Sequence, residues 1–273
     1  WYGGEPTLYG LSKFTRAVER SIAVLGDVRH SIQTNGALID ASWSRLFRTH
    51  RFGVTVSLDG PATLHDLQRT NRAGRATHSA VIRGIRCLQE AGLSPRVACV
   101  VTAKSVPQAA ELVEYLASLG VAEVDFPPAM RLSPGGDLEP FITAEEYADF
   151  LTRALHCWIR IDRPDFRIRS VVGLARRLKG LPGHYCKLEG DCSTYVTFST
   201  EGEVYPCDEF SGPGDTKLGS LKNQSLAEIL SSDKTRSLFR EWTRTPESCL
   251  SCEWQSSCPG SCPFERRASG TLT

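Results

Sequence analysis

Arg96-Val97-Ala98-Cys99-Val100-Val101-Thr102 is an almost unbroken apolar, β-branched run between two stretches of helical spacing. Such a strand is the kind buried under helices on both faces of a parallel sheet. Before it, residues 78–91 place Val81, Ile82, Ile85 and Leu88 three and four apart, which is one face of a helix. After it, residues 106–119 form a second helix, and 121–126 a further strand that Pro127-Pro128 stops, since proline cannot continue a ladder.

The same alternation extends toward the start of the chain. A helix over about 8–24 precedes a short strand at 30–32, a Gln33-Thr34-Asn35-Gly36 turn and an amphipathic stretch at 40–50. Strand 54–58 then ends at Asp59-Gly60-Pro61 and passes into a polar, Arg-rich loop. Alternating helices and strands predict an α/β fold with a parallel sheet or barrel, whose working loops lie at the carboxyl ends of the strands. Gly3-Gly4-Glu5, Gln33-Thr34-Asn35-Gly36 and Ser57-Leu58-Asp59-Gly60-Pro61 all fall at such ends and should meet on one rim. Any one of them alone reads as ordinary turn chemistry.

Residues 132–137 read as a Pro/Gly-rich linker or loop, and 143–158 as a helix with Thr143 and Glu146 forming a capping box. A short helix at 171–178 follows. Past Gly180 apolar periodicity fades and Cys, Gly and Pro become frequent, so a boundary near 182 separates domains 1–181 and 182–273. No closing element is expected after 266.

The 273 residues are 41% hydrophobic and 23% charged, which excludes disorder, collagen and coiled coil, and no apolar run reaches the length of a membrane span. Lys and Arg exceed Asp and Glu by 32 to 31, which gives nucleic acid no electrostatic claim. The chain starts at Trp1 and has one methionine, Met130, so it is expected to be a segment or processed form of a longer protein. No secretory signal is visible in it, and a cytoplasmic location is expected.

Of ten cysteines, Cys87, Cys99 and Cys157 sit in apolar contexts and read as core thiols, while seven fall between 186 and 262. Residues 195–198 and 204–205 flank Thr200-Glu201-Gly202 as a hairpin with Cys192 and Cys207 at its base. Cys249-x2-Cys252-x5-Cys258-x3-Cys262 packs four thiols into fourteen residues. Closely spaced thiolates select zinc or an iron–sulfur cluster, with disulfides the lesser alternative in a chain of this length, and spacing does not choose between the metals. His184, near Cys186, is a candidate zinc ligand or an ordinary loop residue.

Taken together, these motifs make the chain resemble radical S-adenosylmethionine enzymes with a SPASM extension, and in particular the anaerobic sulfatase-maturating enzymes. Trp1-Tyr2-Gly3-Gly4-Glu5-Pro6-Thr7 is similar to the family's GGEP motif and Ser31-Ile32-Gln33-Thr34-Asn35-Gly36 to its SIQTNG strand end. Ser57-Leu58-Asp59-Gly60-Pro61 with His65-Asp66 and Arg69 is similar to its SLDGP…HD…R segment. Cys192-x9-Gly202-x4-Cys207 and the four later cysteines match the SPASM spacing, which moves the metal toward iron–sulfur. The resemblance implies a partial (β/α)6 TIM-like radical SAM barrel, lacking the first strand and helix, followed by a Cys-rich SPASM domain. It implies that Gly3, Gly4 and Glu5 receive the amino group of S-adenosylmethionine, and that Gln33, Ser57 and Arg69 hold its ribose and carboxylate. It further implies that Cys186, Cys192, Cys207 and Cys262 ligate one auxiliary 4Fe-4S cluster, and Cys249, Cys252 and Cys258 a second whose fourth ligand the sequence does not offer. The family's Cys-x3-Cys-x2-Cys loop for the catalytic 4Fe-4S cluster precedes GGEP and is not among these residues, so this segment alone is expected to be inactive.

The implied reaction is radical oxidation of Cβ of a Cys or Ser in a sulfatase polypeptide to formylglycine, with Asp208 as the base and an electron donor such as flavodoxin or ferredoxin. The bland alternative for Asp208 is a cap or a bond to the cluster loop. A maturase of a small ribosomal peptide, installing a thioether, crosslink or epimerised centre, is a second reading, and a non-catalytic zinc-binding module is a third.

Overall fold

The computed structural model describes residues 1–132, 138–140, 142–211 and 216–268. Packing divides the chain into two compact units, Trp1–Met130 with Pro140–Arg169, and Arg131–Glu139 with Ser170–Thr273. The sequence boundary near 182 marks a change of composition, whereas packing groups Ser170–Leu178 with the second unit, where Gly173 lies against Tyr185.

The first unit is a parallel sheet of β1 (Ser31–Thr34), β2 (Gly53–Ser57), β3 (Arg96–Ala98) and β4 (Glu123–Asp125), with a last strand at Arg167–Ile168. Spatial order follows chain order without reversal. Right-handed crossovers that always step the same way put every helix on one face, which is the wall of a barrel and not a doubly wound sheet. Helix α1 (Leu11–Leu25) leads into β1, and the crossovers between β1 and β4 are α2 (Ala41–Thr49), α3 (Ala62–Gln68) with α4 (His78–Glu90), and α5 (Ala109–Ser118).

Register shows which face is which. Thr34, Val56, Val97, Val124 and Ile168 pair in one continuous row and all are buried; a Cβ built on Gly36 would touch both Val56 and Val81 of α4, so this row faces the helices. Each of its aliphatic side chains contributes about 1.5–3 kcal/mol. The neighbouring row, Gln33, Thr55, Arg96, Glu123 and Arg167, is polar and half-buried, apart from the exposed Arg167. The run at 96–102 is therefore covered by helices on one face only, and its other face belongs to the polar interior of the barrel.

Several expectations need correction. The first helix starts later, because Pro6–Tyr9 is a separate 3-10 turn and Gly10, at φ +83°, parts it from α1. The strand expected at 30–32 extends through Gln33 and Thr34. Part of the expected polar loop after Pro61 is α3. Pro127-Pro128 does not end the pairing: the Pro127 carbonyl accepts from Val101 N–H and Ala129 N–H donates back to Val101, because only proline's donor is missing. Part of the stretch read as a linker forms β5 (Met130–Leu132), paired with β6 (Leu138–Pro140), while 133–137 lie outside the described residues. The capping box at Thr143 and Glu146 opens α6 (Ala144–Ile161), and β7 (Arg167–Ile168) was not foreseen. Cys99 and Cys157 are buried as expected, but Cys87 is only half-buried.

In the second unit α7 (Arg169–Leu178) precedes the hairpin of β8 (Thr197–Phe198) and β9 (Glu203–Tyr205), to which β10 (Gly219–Ser220) adds a third, unforeseen strand. Val204, Leu218 and Ile229 form a small core beneath it. Two helices capped by Ser225 and Ser232, α8 (Leu226–Ser231) and α9 (Asp233–Thr243), and the short α10 (Pro263–Ala268) follow; α10 enters the tail where no element was expected, and 269–273 lie outside the described residues.

Candidate active site

The three polar clusters do meet on one rim. Trp1 pairs beside β1, its carbonyl accepting from Gln33 N–H at 3.0 Å, and this brings Gly3 and Gly4 to the carboxyl end of the sheet. Both glycines have positive φ, at +87° and +56°, with open space where a Cβ would stand, so no neighbouring group covers that side of the turn. Gly3, Gly4, Glu5, Gln33, Ser57 and Arg69 border one cavity of about 250 Å³, and Tyr2, Thr34 and Asn35 complete its wall. Those last three carried no assignment from the sequence, although Thr34 and Asn35 stand inside the quoted SIQTNG stretch.

Glu5 is held by the chain itself. Its Oε1 accepts from Thr7 N–H (3.1 Å), the Thr7 hydroxyl (2.6 Å) and the Thr34 hydroxyl (2.7 Å), while Oε2 accepts from Asn35 N–H (2.6 Å). Only Oε2 keeps acceptor capacity for a ligand. The carboxylate thus ties the Gly-Gly turn to the end of β1 and leaves negative charge at the cavity wall.

Arg69 enters from the other side. Its Nε donates to Asp59 Oδ2 at 2.6 Å and its Nη2 to Asp59 Oδ1 at 3.3 Å; Asp59, 4% exposed, also accepts from Val100 N–H at 2.9 Å. His65 is fully buried and its two nitrogens have opposite duties. Nδ1 accepts from Asp59 N–H at 3.2 Å, and Nε2 lies 3.1 Å from the Thr77 hydroxyl, which itself donates to the Arg69 carbonyl. That pattern needs neutral imidazole with its proton on Nε2. Burial, the largest influence, holds the His65 pKa below its ordinary value. Asp66 accepts from the N–H groups of Thr77 and His78 and so caps the start of α4. His65 and Asp66 are therefore framework for the rim.

The thiols of the second unit form a different kind of site. Burial pushes Cys192 up to about 11, helped by the neighbouring Cys262 and Cys186 and opposed by Arg266. Burial likewise raises Cys207, with Asp208 and Cys262 adding to it, and Cys262, whose sulfur faces the N–H groups of Phe264 and Glu265 at the start of α10. Cys192 thus comes within electrostatic reach of Cys186 and Cys262, and Cys262 within reach of Cys207, which links the four thiols in series. Gly190 lets the loop of Cys186 and Cys192 close on that of Cys258 and Cys262: a Cβ there would stand 2.6 Å from Pro259 Cγ. Lys187 bridges to Glu265 across the same two loops. Cys249 and Cys252 follow one another on a single turn, Cys252 N–H donating to the Cys249 carbonyl at 3.2 Å, and Cys258 N–H donates to Trp254. Among the described residues no three Cys, His, Asp or Glu side chains converge as closely as a single metal ion requires. One zinc with sulfur at about 2.3 Å would need its ligand sulfurs about 3.8 Å apart, tighter than a four-iron cluster needs. His184 is exposed, and its N–H is taken by Glu189.

Asp208 opens the turn Asp208–Phe210 directly after Cys207, with Oδ1 3.3 Å from the Cys207 sulfur. Phe210 packs on Trp242, ring centres 4.2 Å apart, and edge-on to Phe264, which anchors the turn.

A parallel-sheet barrel wall with a polar rim cavity, in a chain that also carries a thiol-lined domain, defines an α/β enzyme with an iron–sulfur extension. Residues 189–253 match the SPASM family, an iron–sulfur cluster-binding domain. The chain is 31% identical to the serine-type anaerobic sulfatase-maturating enzyme of Klebsiella aerogenes, over 99% of its own length and 67% of the relative's. It is 26% identical to the cysteine-type enzyme of Clostridium perfringens, over 95% and 72%. Among solved structures it superposes on anSMEcpe with bound AdoMet at a TM-score of 0.87 with 26% identity, covering 98% of this chain and 72% of that one. A further structure of the same enzyme, with AdoMet and the Cp18Cys peptide, gives 0.85 and 27%, over 98% and 76%. The chain belongs to the anaerobic sulfatase-maturating enzymes, protein-modifying radical oxidoreductases.

Proposed function

We propose that this protein oxidises Cβ of a Cys or Ser side chain in a sulfatase polypeptide to formylglycine, using the rim cavity for S-adenosylmethionine and the seven thiols for iron–sulfur clusters. The observation that carries this reading is the convergence of Gly3-Gly4-Glu5, Gln33, Ser57 and Arg69 on one cavity. The donors suit the molecule: backbone carbonyls and the remaining capacity of Glu5 Oε2 for an ammonium, Arg69 for a carboxylate, Gln33 and Ser57 for hydroxyls. When bound and reductively cleaved, S-adenosylmethionine supplies the carbon radical that takes a hydrogen atom from Cβ.

Cys186, Cys192, Cys207 and Cys262 would hold one auxiliary cluster, and Cys249, Cys252 and Cys258 would contribute to a second that accepts the substrate's other electron. The raised proton affinities of Cys192, Cys207 and Cys262 suit cluster binding, because a buried thiolate needs the compensating charge of iron. Asp208 would take the proton from the substrate's thiol or hydroxyl. A thiolate on iron has no hydrogen to donate, so ligation of Cys207 would release Asp208 Oδ1 from its present contact. An electron donor of the flavodoxin or ferredoxin type would complete the cycle.

The test is anaerobic incubation of the full-length, reconstituted protein, catalytic cluster loop included, with S-adenosylmethionine, a reductant and paired peptides carrying Cys-x-Pro-x-Arg or Ser-x-Pro-x-Arg. Mass spectrometry should show an aldehyde on at least one peptide. Cleavage of S-adenosylmethionine with no aldehyde on either would reject sulfatase maturation.

A further inference from the structure

We propose that Asp59 is a positioning residue for S-adenosylmethionine: buried beneath the rim, it grips one edge of the Arg69 guanidinium and thereby aims the opposite edge into the cavity. The inference rests on the reading that this cavity receives S-adenosylmethionine. A guanidinium has five N–H groups in a rigid plane. Nε and one Nη2 hydrogen go to the two oxygens of Asp59, at 2.6 and 3.3 Å. Both Nη1 hydrogens and the second on Nη2 remain for the cavity that Arg69 borders, a fork of the width a carboxylate accepts.

Arg69 has little freedom to leave this pose. Turning away would strand the Asp59 carboxylate, 4% exposed, with Val100 N–H as its other donor. An unpaired buried charge is costly, so the pair holds its geometry even though the Arg69 side chain is 30% exposed. The backbone of Arg69 is pinned as well: its N–H donates to the His65 carbonyl at 2.9 Å, and its carbonyl accepts the Thr77 hydroxyl at 2.7 Å. His65 links the two pins, since its ring accepts from Asp59 N–H and meets Thr77. Asp59 itself does not border the cavity, so it acts through Arg69.

A double-mutant cycle tests this, with S-adenosylmethionine binding to the purified protein measured by equilibrium dialysis without turnover. Asp59→Asn keeps the size and the acceptor for Val100 but removes the charge, and should weaken binding about tenfold. Arg69→Ala should weaken it at least as much, and adding Asp59→Asn to Arg69→Ala should change affinity by less than about twofold. Additive losses, or wild-type affinity in Asp59→Asn, would overturn the proposal. Should Asp59→Asn not fold, Arg69→Lys serves: the ammonium keeps the charge but cannot span both Asp59 oxygens and the ligand, so it should lose about tenfold as well. Wild-type affinity in Arg69→Lys overturns the proposal too. Absence of binding by the unaltered protein would overturn the cavity reading and this inference with it, whereas binding with additive losses overturns this inference alone.

Discussion

The rim of the first unit and the thiol loops of the second are both built from short polar stretches, yet they reach order by opposite means. At the rim every charged group described is answered by the chain: Glu5 takes four donors, Asp59 takes Arg69 and Val100, and neutral His65 both gives and receives. The thiol loops place Cys192, Cys207 and Cys262 where burial favours the protonated form, and offer Arg266 and Lys187 as the nearby cations that oppose it. The first site is complete without its ligand. The second gains its largest electrostatic term only when iron arrives.

The largest effect that separates the two is therefore iron removal. Chelation of the reconstituted protein under nitrogen should lower the unfolding midpoint of the second unit by about 10 °C or more, because metal binding there is folding free energy. Slowly exchanging amides of Val56, Val97 and Val124 in the first unit should keep their protection. Equal loss of protection in both units would abolish the contrast.

A middle effect comes from Gly190→Val. The residue stands at φ +69°, where a β-branched side chain is strained, and its Cβ would press on Pro259. The strain and the clash together should cost about 1–3 kcal/mol and part the two cysteine loops. Iron per chain should fall, while the affinity of the rim cavity for S-adenosylmethionine stays at the wild-type value. Full iron content in this variant would show that the loops need not close so tightly.

The same contrast explains how far the sequence could be read. The rim was legible because its motifs are local: Gly3-Gly4-Glu5, Gln33 and Ser57 sit at strand ends, and alternation of helix and strand puts such ends together. Arg69 came only with the family resemblance, since the partner that fixes it lies ten residues back and in a different element. The single-sided burial of residues 96–102 was hidden because Ala98 and Val100 are apolar yet face the interior row, so periodicity looked continuous. The helix α3 was missed because seven residues with a histidine and an aspartate carry too little apolar pattern, and β7 because two residues carry none. In the second unit spacing identified the thiols but not their grouping, which depends on Gly190 and the Lys187–Glu265 pair bringing distant loops together.

The smallest expected effect probes the self-sufficiency of the rim through pH. Burial, chiefly, keeps the folded-state pKa of His65 below the ordinary value near 6.5, so below that pH the unfolded chain binds the proton more readily than the folded one. Stability present above pH 6.5 is thus lost as the pH falls toward the depressed folded value. His30, lowered by burial and by His50, acts in the same direction and remains as background. His65→Gln offers an amide oxygen to Asp59 N–H and an amide N–H to the Thr77 hydroxyl without titrating, so it preserves both bonds. Denaturant midpoints at pH 7.5 and 5.5 should fall less for His65→Gln than for the wild type. Parallel loss in the two proteins would mean that His65 tolerates its proton, and that the rim is not held by a fixed pattern of donors and acceptors.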